Sequence, residues 1–250
     1  MERKLYIEAE GGTIAALLRR PAAEGCPLVI LMHGFMSNKG LEPLKSIAKA
    51  LEEVGIASLS MDFDGHGESY GRFRDMTVPK EIEDARRVYE YASKLPWVKG
   101  ISFLGHSQGA VVAGMLAGTL GKDKVDCLVQ LAPAAVLKDD ALDGVLMGRK
   151  YDPQNPPETL WVLFHKVGKG YFLAAQTLPI YDTSALYEGP VLLVHGREDK
   201  IVPLRYSERY DSLYKDSRLI VLDGEGHLMR RCRAQITATS TDFIKQRYGL

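Results

Sequence analysis

Gly105-His106-Ser107-Gln108-Gly109 follows the apolar run Ile101-Ser102-Phe103-Leu104 and precedes Ala110 to Leu116, a stretch of helical composition. On its own the pentapeptide describes a glycine-rich surface turn. A strand before it and a helix after it predict a nucleophile elbow, a turn so tight that its flanking positions must be nearly free of side chain. Such a turn lifts the serine hydroxyl clear of a sheet, beside the N-terminal amides of the new helix. That geometry suits attack on a carbonyl carbon.

The rest of the chain supplies a sheet of the required kind. Gly11-Gly12 between Leu5–Glu8 and Thr13–Leu18 predicts an opening antiparallel hairpin. Pro27 to Met32 reads as a strand buried on both faces, followed by a helix over Leu41–Val54 with Leu44, Ile47, Ala48 and Leu51 at helical spacing. A strand over Ile56–Asp62 precedes a helix over Pro79–Leu95, with Ile82, Ala85, Val88 and Ala92 on one face. Val125–Leu131, Pro190–His195 and Arg218–Leu222 supply further strands, and Arg205–Tyr214 and Ala234–Arg247 further helices. Alternation of this kind predicts an α/β fold, a mainly parallel central sheet flanked by helices with right-handed crossovers.

The interval from Pro133 to Pro190 breaks the rhythm, being too long for one crossover and rich in glycine and proline. Long intervals inside compact domains are usually lids or binding segments, so it is expected to be a small cap, about residues 134–181, inserted into one domain spanning 1–250.

The chain has 250 residues and 46% hydrophobic content, enough to bury a large core in one domain. Lys+Arg and Asp+Glu are both 32, so nothing points to nucleic acid or another polyanion as partner. The N-terminal residues lack a signal-peptide pattern, and no window approaches the roughly 20 apolar residues that span a bilayer. A soluble cytoplasmic protein that does not engage membranes is the expectation. Cys26, Cys127 and Cys232 are odd in number and widely spaced, which predicts structural thiols and no metal motif.

A serine hydroxyl needs a base to take its proton, and that base needs an anionic partner to hold its tautomer. Of six histidines, His33 and His66 precede the elbow, His106 lies inside it, His195 ends a strand and His165 falls in the expected cap. His227, in the glycine-rich loop Leu222-Asp223-Gly224-Glu225-Gly226-His227 after the last strand, is the candidate base. Asp199 follows the strand ending at His195 and is the candidate acid, with Glu198 its near neighbour and Asp223 the less favoured choice. The oxyanion of a tetrahedral intermediate requires preorganised amides, and Gln108 N–H and Phe35 N–H stand in the two loops that would supply them. The acidic loop Asp62-Phe63-Asp64-Gly65-His66-Gly67-Glu68-Ser69 has no matching ligand set elsewhere and reads as structural rather than metal-binding.

His33-Gly34-Phe35, Asp64-Gly65-His66-Gly67-Glu68-Ser69, the elbow, His195-Gly196-x-x-Asp199 and Gly226-His227 occur in the order of the α/β-hydrolases, which the chain resembles over essentially its whole length. Leu131-Ala132-Pro133-Ala134-Ala135, Tyr151-Asp152-Pro153 and Ala175-Gln176-x-Leu178-Pro179-Ile180 make it similar to the bacterial cinnamoyl (feruloyl) esterases. That resemblance implies a serine carboxylesterase acting on hydroxycinnamate esters, a small-molecule substrate, no cofactor and possible homodimerisation. It places Asp140 and Tyr171 near a phenolic hydroxyl and offers Trp161 as an aromatic wall, while Met147 stands where some members carry a polar residue. A short- or medium-chain acyl esterase or monoacylglycerol lipase is the alternative, and a non-catalytic ligand-binding member of the fold is a third reading.

Overall fold

The structure is a computed structural model and describes residues 2–250. β1 (Glu2–Ala9) and β2 (Gly12–Arg19) form an antiparallel pair. There follow β3 (Cys26–Met32), α1 (Leu44–Glu53), β4 (Ala57–Met61), α2 (Val78–Ser93), β5 (Val98–His106), α3 (Gln108–Leu120) and β6 (Leu128–Leu131). The chain then leaves the sheet through α4 (Val136–Asp143), the short hairpin β7 (Val145–Leu146) and β8 (Arg149–Lys150), and a second hairpin of β9 (Thr159–Val162) and β10 (His165–Gly168). It returns through α5 (Lys169–Thr177) and α6 (Ile180–Ser184) to β11 (Val191–Gly196), α7 (Arg205–Leu213), β12 (Ser217–Leu222) and α8 (Arg233–Arg247).

Eight strands form one sheet in the order β1-β2-β4-β3-β5-β6-β11-β12, parallel from β4 onward with β1 and β2 antiparallel at one edge. The chain winds from β3 outward to β4 and then crosses to the other side of β3 as β5. This reversal opens a crevice at the C-terminal ends of β3 and β5, the place where open α/β sheets bind ligands.

Alternation along the central strands feeds two cores. Leu28, Ile30 and Met32 of β3 face α2 and α3, while Val29 and Leu31 join Leu44, Ile47, Ala48 and Leu51 of α1 and Ile236 and Ile244 of α8. Each fully buried side chain of this size contributes about 1.5–3 kcal/mol of hydrophobic stabilisation. α3 is buried along nearly its whole length and approaches α6 so closely that a Cβ on Gly118 would lie 1.9 Å from the Thr183 carbonyl oxygen.

One boundary and one buried face differ from the sequence reading. α1 starts at Leu44, not Leu41, because Glu42 precedes Pro43 and a residue before proline is held out of the helical region. On α2 the half-buried Ile82 gives up its expected place to Glu81, which is buried with Val78, Asp84, Ala85, Val88 and Ala92. Among the described residues no helix is long and apolar enough to cross a membrane.

Candidate active site

β5 runs into α3 through Ser107, whose φ of 57° and ψ of −122° are strained for a side-chain-bearing residue. The flanking glycines are a steric requirement of that turn. A Cβ on Gly105 would lie 2.2 Å from the Gly109 carbonyl oxygen, and one on Gly109 would lie 2.3 Å from that of His33. The Ser107 amide donates to the Leu131 carbonyl at 2.8 Å, tying the turn to the neighbouring strand β6.

The loops after β11 and β12 bring Asp199 and His227 to this serine. His227 Nδ1 lies 2.7 Å from Asp199 Oδ2 and His227 Nε2 lies 2.8 Å from Ser107 Oγ. A carboxylate oxygen only accepts, so the ring proton sits on Nδ1 and the Nε2 lone pair accepts from the serine hydroxyl. Of the neighbouring acids, Glu198 is exposed and Asp223 pairs with Arg197 at the surface, 2.5 Å away. Asp199 Oδ1 accepts from the Ile201 and Val202 amides at 2.9 and 2.8 Å, and His195 Nε2 lies 3.3 Å from Oδ2. Burial alone would raise its pKa, but the hydrogen bonds of His195 and His227 outweigh that and hold the carboxylate well below its usual range. His106 Nε2 donates to the His227 carbonyl at 2.9 Å and holds the backbone of the loop that carries that ring. Burial, with His227 nearby, pushes the His106 ring down to about 4 and keeps it neutral.

Phe35 and Gln108 stand on the two sides of the crevice. Gln108 is the first residue of α3, so its amide lacks an i−4 helical acceptor and is free to serve a ligand. The loop carrying Phe35 closes on the nucleophile, since a Cβ on Gly34 would meet Ser107 Cβ at 2.9 Å. The Gln108 side chain is clamped as well: Nε2 donates to Glu81 Oε2 at 2.8 Å, and Oε1 accepts from the Tyr171 hydroxyl at 2.8 Å. Burial, opposed only in part by the Gln108 hydrogen bond, pushes the Glu81 carboxyl well above its ordinary value. Sequence reasoning passed over Glu81, although the 78, 81, 85, 88, 92 spacing of buried positions places it on the inner face of α2.

A cavity of about 420 Å³ opens beside Ser107. Phe35 and Gln108 border it from the sheet, and Leu137, Asp140, Leu146, Met147 and Tyr171 from the excursion between β6 and β11. Burial, with the charges of Asp139 and Asp143, pushes the Asp140 carboxyl up to about 6. The structure therefore brings Asp140 and Tyr171 to the serine but not Trp161. In the β9–β10 hairpin Trp161 is paired with Lys166 and alternates with Val162, which takes the buried face. The indole is left 57% exposed beneath the Lys166 ammonium, 5.1 Å from its ring centroid. An aromatic wall from Trp161 is thus ruled out by strand register, and Phe35 supplies a ring at the cavity instead, 5.6 Å from that of Tyr171.

In the acidic loop after β4, Asp62 is engaged by its neighbours, while Asp64 Oδ1 and His66 Nε2 are buried with no hydrogen-bond partner among the described residues. Asp62 accepts from Lys39 Nζ at 2.5 Å and from the amides of Lys39 and Glu68 at 2.7 and 2.9 Å. Among the described residues no group of three His, Cys, Asp or Glu side chains is arranged to hold a metal.

A serine on a strand-to-helix elbow at the switch point of this sheet, with histidine and aspartate on later strand-end loops, defines an α/β-hydrolase with a site of the serine-esterase type. The model of the family described as serine aminopeptidase, S33, matches residues 23–152, just over half of the chain, and the chain belongs to that family. Among solved structures it is similar to Est1E from Butyrivibrio proteoclasticus with ferulic acid bound, at 33% identity over 98% of this chain and 100% of that one, with a TM-score of 0.95. Among curated proteins it is 27% identical over 197 residues to human Protein ABHD12B, covering 78% of this chain and 51% of that protein. It is also 23% identical over 197 residues to lysophosphatidylserine lipase ABHD12 of Danio rerio, covering 77% and 48%. The chain thus spans about half the length of these curated relatives.

Proposed function

We propose that the chain hydrolyses carboxylic esters through an acyl-enzyme, with hydroxycinnamate esters as the preferred class. The observation that carries the reading is the unbroken relay from Asp199 through His227 to Ser107 at 2.7 and 2.8 Å. As Ser107 Oγ bonds to the ester carbonyl carbon, its proton passes to His227 Nε2 and the carbonyl oxygen becomes an oxyanion facing the Phe35 and Gln108 amides. Collapse expels the alcohol, which takes the proton from His227. Water then adds to the acyl-enzyme, giving its proton to His227, and the second collapse frees the acid and returns the proton to Ser107. Asp199 stays ionised throughout and holds the imidazole, as its lowered pKa supports.

The excursion acts as a cap over the acyl group, about residues 134–181. Asp140 is a carboxylate acceptor in an otherwise largely apolar wall, suited to a phenolic O–H, and Est1E is a relative solved with ferulic acid. Tyr171 serves mainly through its bond to Gln108. Met147, with Leu137 and Leu146, presents aliphatic surface to the same cavity and supports a short- or medium-chain acyl group as the second reading.

The test is kcat/KM for methyl ferulate against 4-nitrophenyl butyrate, with Ser107→Ala as the blank. A large preference for ferulate, lost in the variant, is the expected result. A large preference for butyrate would leave the mechanism and move the substrate to the second reading. Turnover surviving in Ser107→Ala would overturn the mechanism.

A further inference from the structure

Ser107 borders a second cavity of about 570 Å³, on the side away from Gln108. The two spaces divide the machinery between them. Phe35 and Ser107 border both, but Gln108 borders only the first, whereas His106 and His227 border only the second. Expulsion of an alcohol requires its oxygen to receive the proton held on His227 Nε2, so the alcohol half of an ester must lie on the His227 side. The second cavity is therefore the place for the leaving group, a conclusion that rests on the ester-hydrolase reading above.

Its charged lining is Arg230, Arg233 and Glu42. Glu42 is engaged by Ser46, its Oε2 accepting from Ser46 Oγ at 2.6 Å and from the Ser46 amide at 3.1 Å, and its Oε1 makes a long ion pair with Arg233 Nη1 at 3.9 Å. Arg233 Nε is buried and has no hydrogen-bond partner among the described residues. Arg230 is bound through its backbone amide, to Glu225 Oε1 at 3.2 Å, and its guanidinium has no partner among the described residues. The lining itself thus carries two guanidiniums against one carboxylate, with the buried Glu225 carboxylate held behind it by the Arg230 and Cys232 amides. Guanidinium forks match carboxylate and phosphate oxygens in pairs.

We propose that this cavity is an alcohol-side subsite for esters whose alcohol carries an anionic group, a carboxylate or a phosphate, held by Arg230 and Arg233. A neighbouring space of about 400 Å³, lined by Leu163, Phe164, Ile201 and Leu228, also reaches Ser107 and His227 and would instead favour an alkyl alcohol.

The test uses butyrate esters in matched pairs, so that the result does not depend on the acyl preference: carboxymethyl against carbamoylmethyl, and 2-phosphooxyethyl against 2-hydroxyethyl, with hexyl butyrate beside them. The anionic member should lead by about ten-fold in kcat/KM in at least one pair. The pair showing the larger lead identifies the anion. That lead should shrink as salt is raised from about 0.05 to 0.5 M in the wild-type enzyme, a readout that needs no variant. In the Arg230→Gln/Arg233→Gln double variant the ratio within each pair should approach one, and Arg→Lys at both positions should restore part of it. Equal rates within both pairs, or hexyl butyrate exceeding both anionic esters, would overturn the subsite. No turnover of any ester, with no labelling of Ser107 by a fluorophosphonate, would remove the hydrolase reading and the subsite with it.

Discussion

At Asp140, burial and two neighbouring aspartates bring the carboxyl to about 6, within the range over which an enzyme can be assayed. Above that pH the group is ionised and accepts a phenolic O–H by a charge-assisted bond; below it the carboxyl is neutral and the bond weakens. The ratio of kcat/KM for methyl 4-hydroxycinnamate to that for methyl cinnamate should fall several-fold, about three- to ten-fold, as pH drops through about 6. The Asp140→Asn variant should show a flat ratio over the same range, and a pH-independent wild-type ratio would remove Asp140 from phenol recognition. Trp161 provides the contrast. With its ring on the solvent side of the hairpin, Trp161→Ala should keep kcat/KM for methyl ferulate within about two-fold, surface changes usually costing under about 0.5 kcal/mol. This difference between two residues of the expected cap was not legible in the sequence, because it depends on which face of a short hairpin meets the core.

The helix after the elbow is where an element, not a residue, sets the constraint. α3 carries glycine at 109, 114 and 118, and the last two let α6 and the Gln130 side chain approach its backbone. Glycine costs about 1 kcal/mol of helix propensity relative to alanine, so an exposed Gly→Ala change would stabilise. At Gly118 the added methyl instead meets the Thr183 carbonyl oxygen at 1.9 Å, a rigid backbone atom. Gly118→Ala should therefore destabilise by about 1–3 kcal/mol, the usual cost of overpacking, read as a lower urea midpoint with unchanged m-value. A midpoint that rises would show that α6 is free to move away. The existence of α3 was clear from composition; its close contact with α6 joins residues more than 60 positions apart and was not.

For the whole molecule, buried histidines tie stability to pH. Burial, with other histidines nearby, lowers the rings of His33 and His106, and burial alone dominates at His66, so all three are neutral in the folded state. A histidine whose folded pKa lies below its unfolded value near 6.5 gives stability that is complete above about pH 6.5 and is lost as pH falls toward the folded pKa. The raised carboxyl of Asp84, at about 7, and that of Glu81 act in the opposite sense, costing stability as pH rises past their unfolded values near 4. The contribution of one histidine is therefore best read from a variant. With its ring at about 4, His106 should account for about 2 kcal/mol of loss between pH 6.5 and 4.5. In His106→Gln the unfolding free energy from urea titration should decline less steeply across that interval, and a slope equal to wild type would refute the assignment.

The sequence by itself determined the order of the strands and helices of the main sheet, the elbow, and the candidates Ser107, Asp199 and His227, but not the elements of the cap interval. Each of these is written locally: in apolar runs of characteristic period, in glycines that a tight turn requires, and in polar residues directly after a strand. A parallel sheet carries the C-terminal ends of its strands to one edge, so Asp199 and His227, 92 and 120 positions after Ser107, need no further signal to meet it. Only the tertiary structure decided that Glu81 sits inside and holds Gln108, that Trp161 stays outside the cavity, and that Arg230 and Arg233 border a second cavity beside His227. Those outcomes depend on hairpin register and on which surfaces remain uncovered after packing, quantities set by contacts between distant segments and not by the pattern of any one of them.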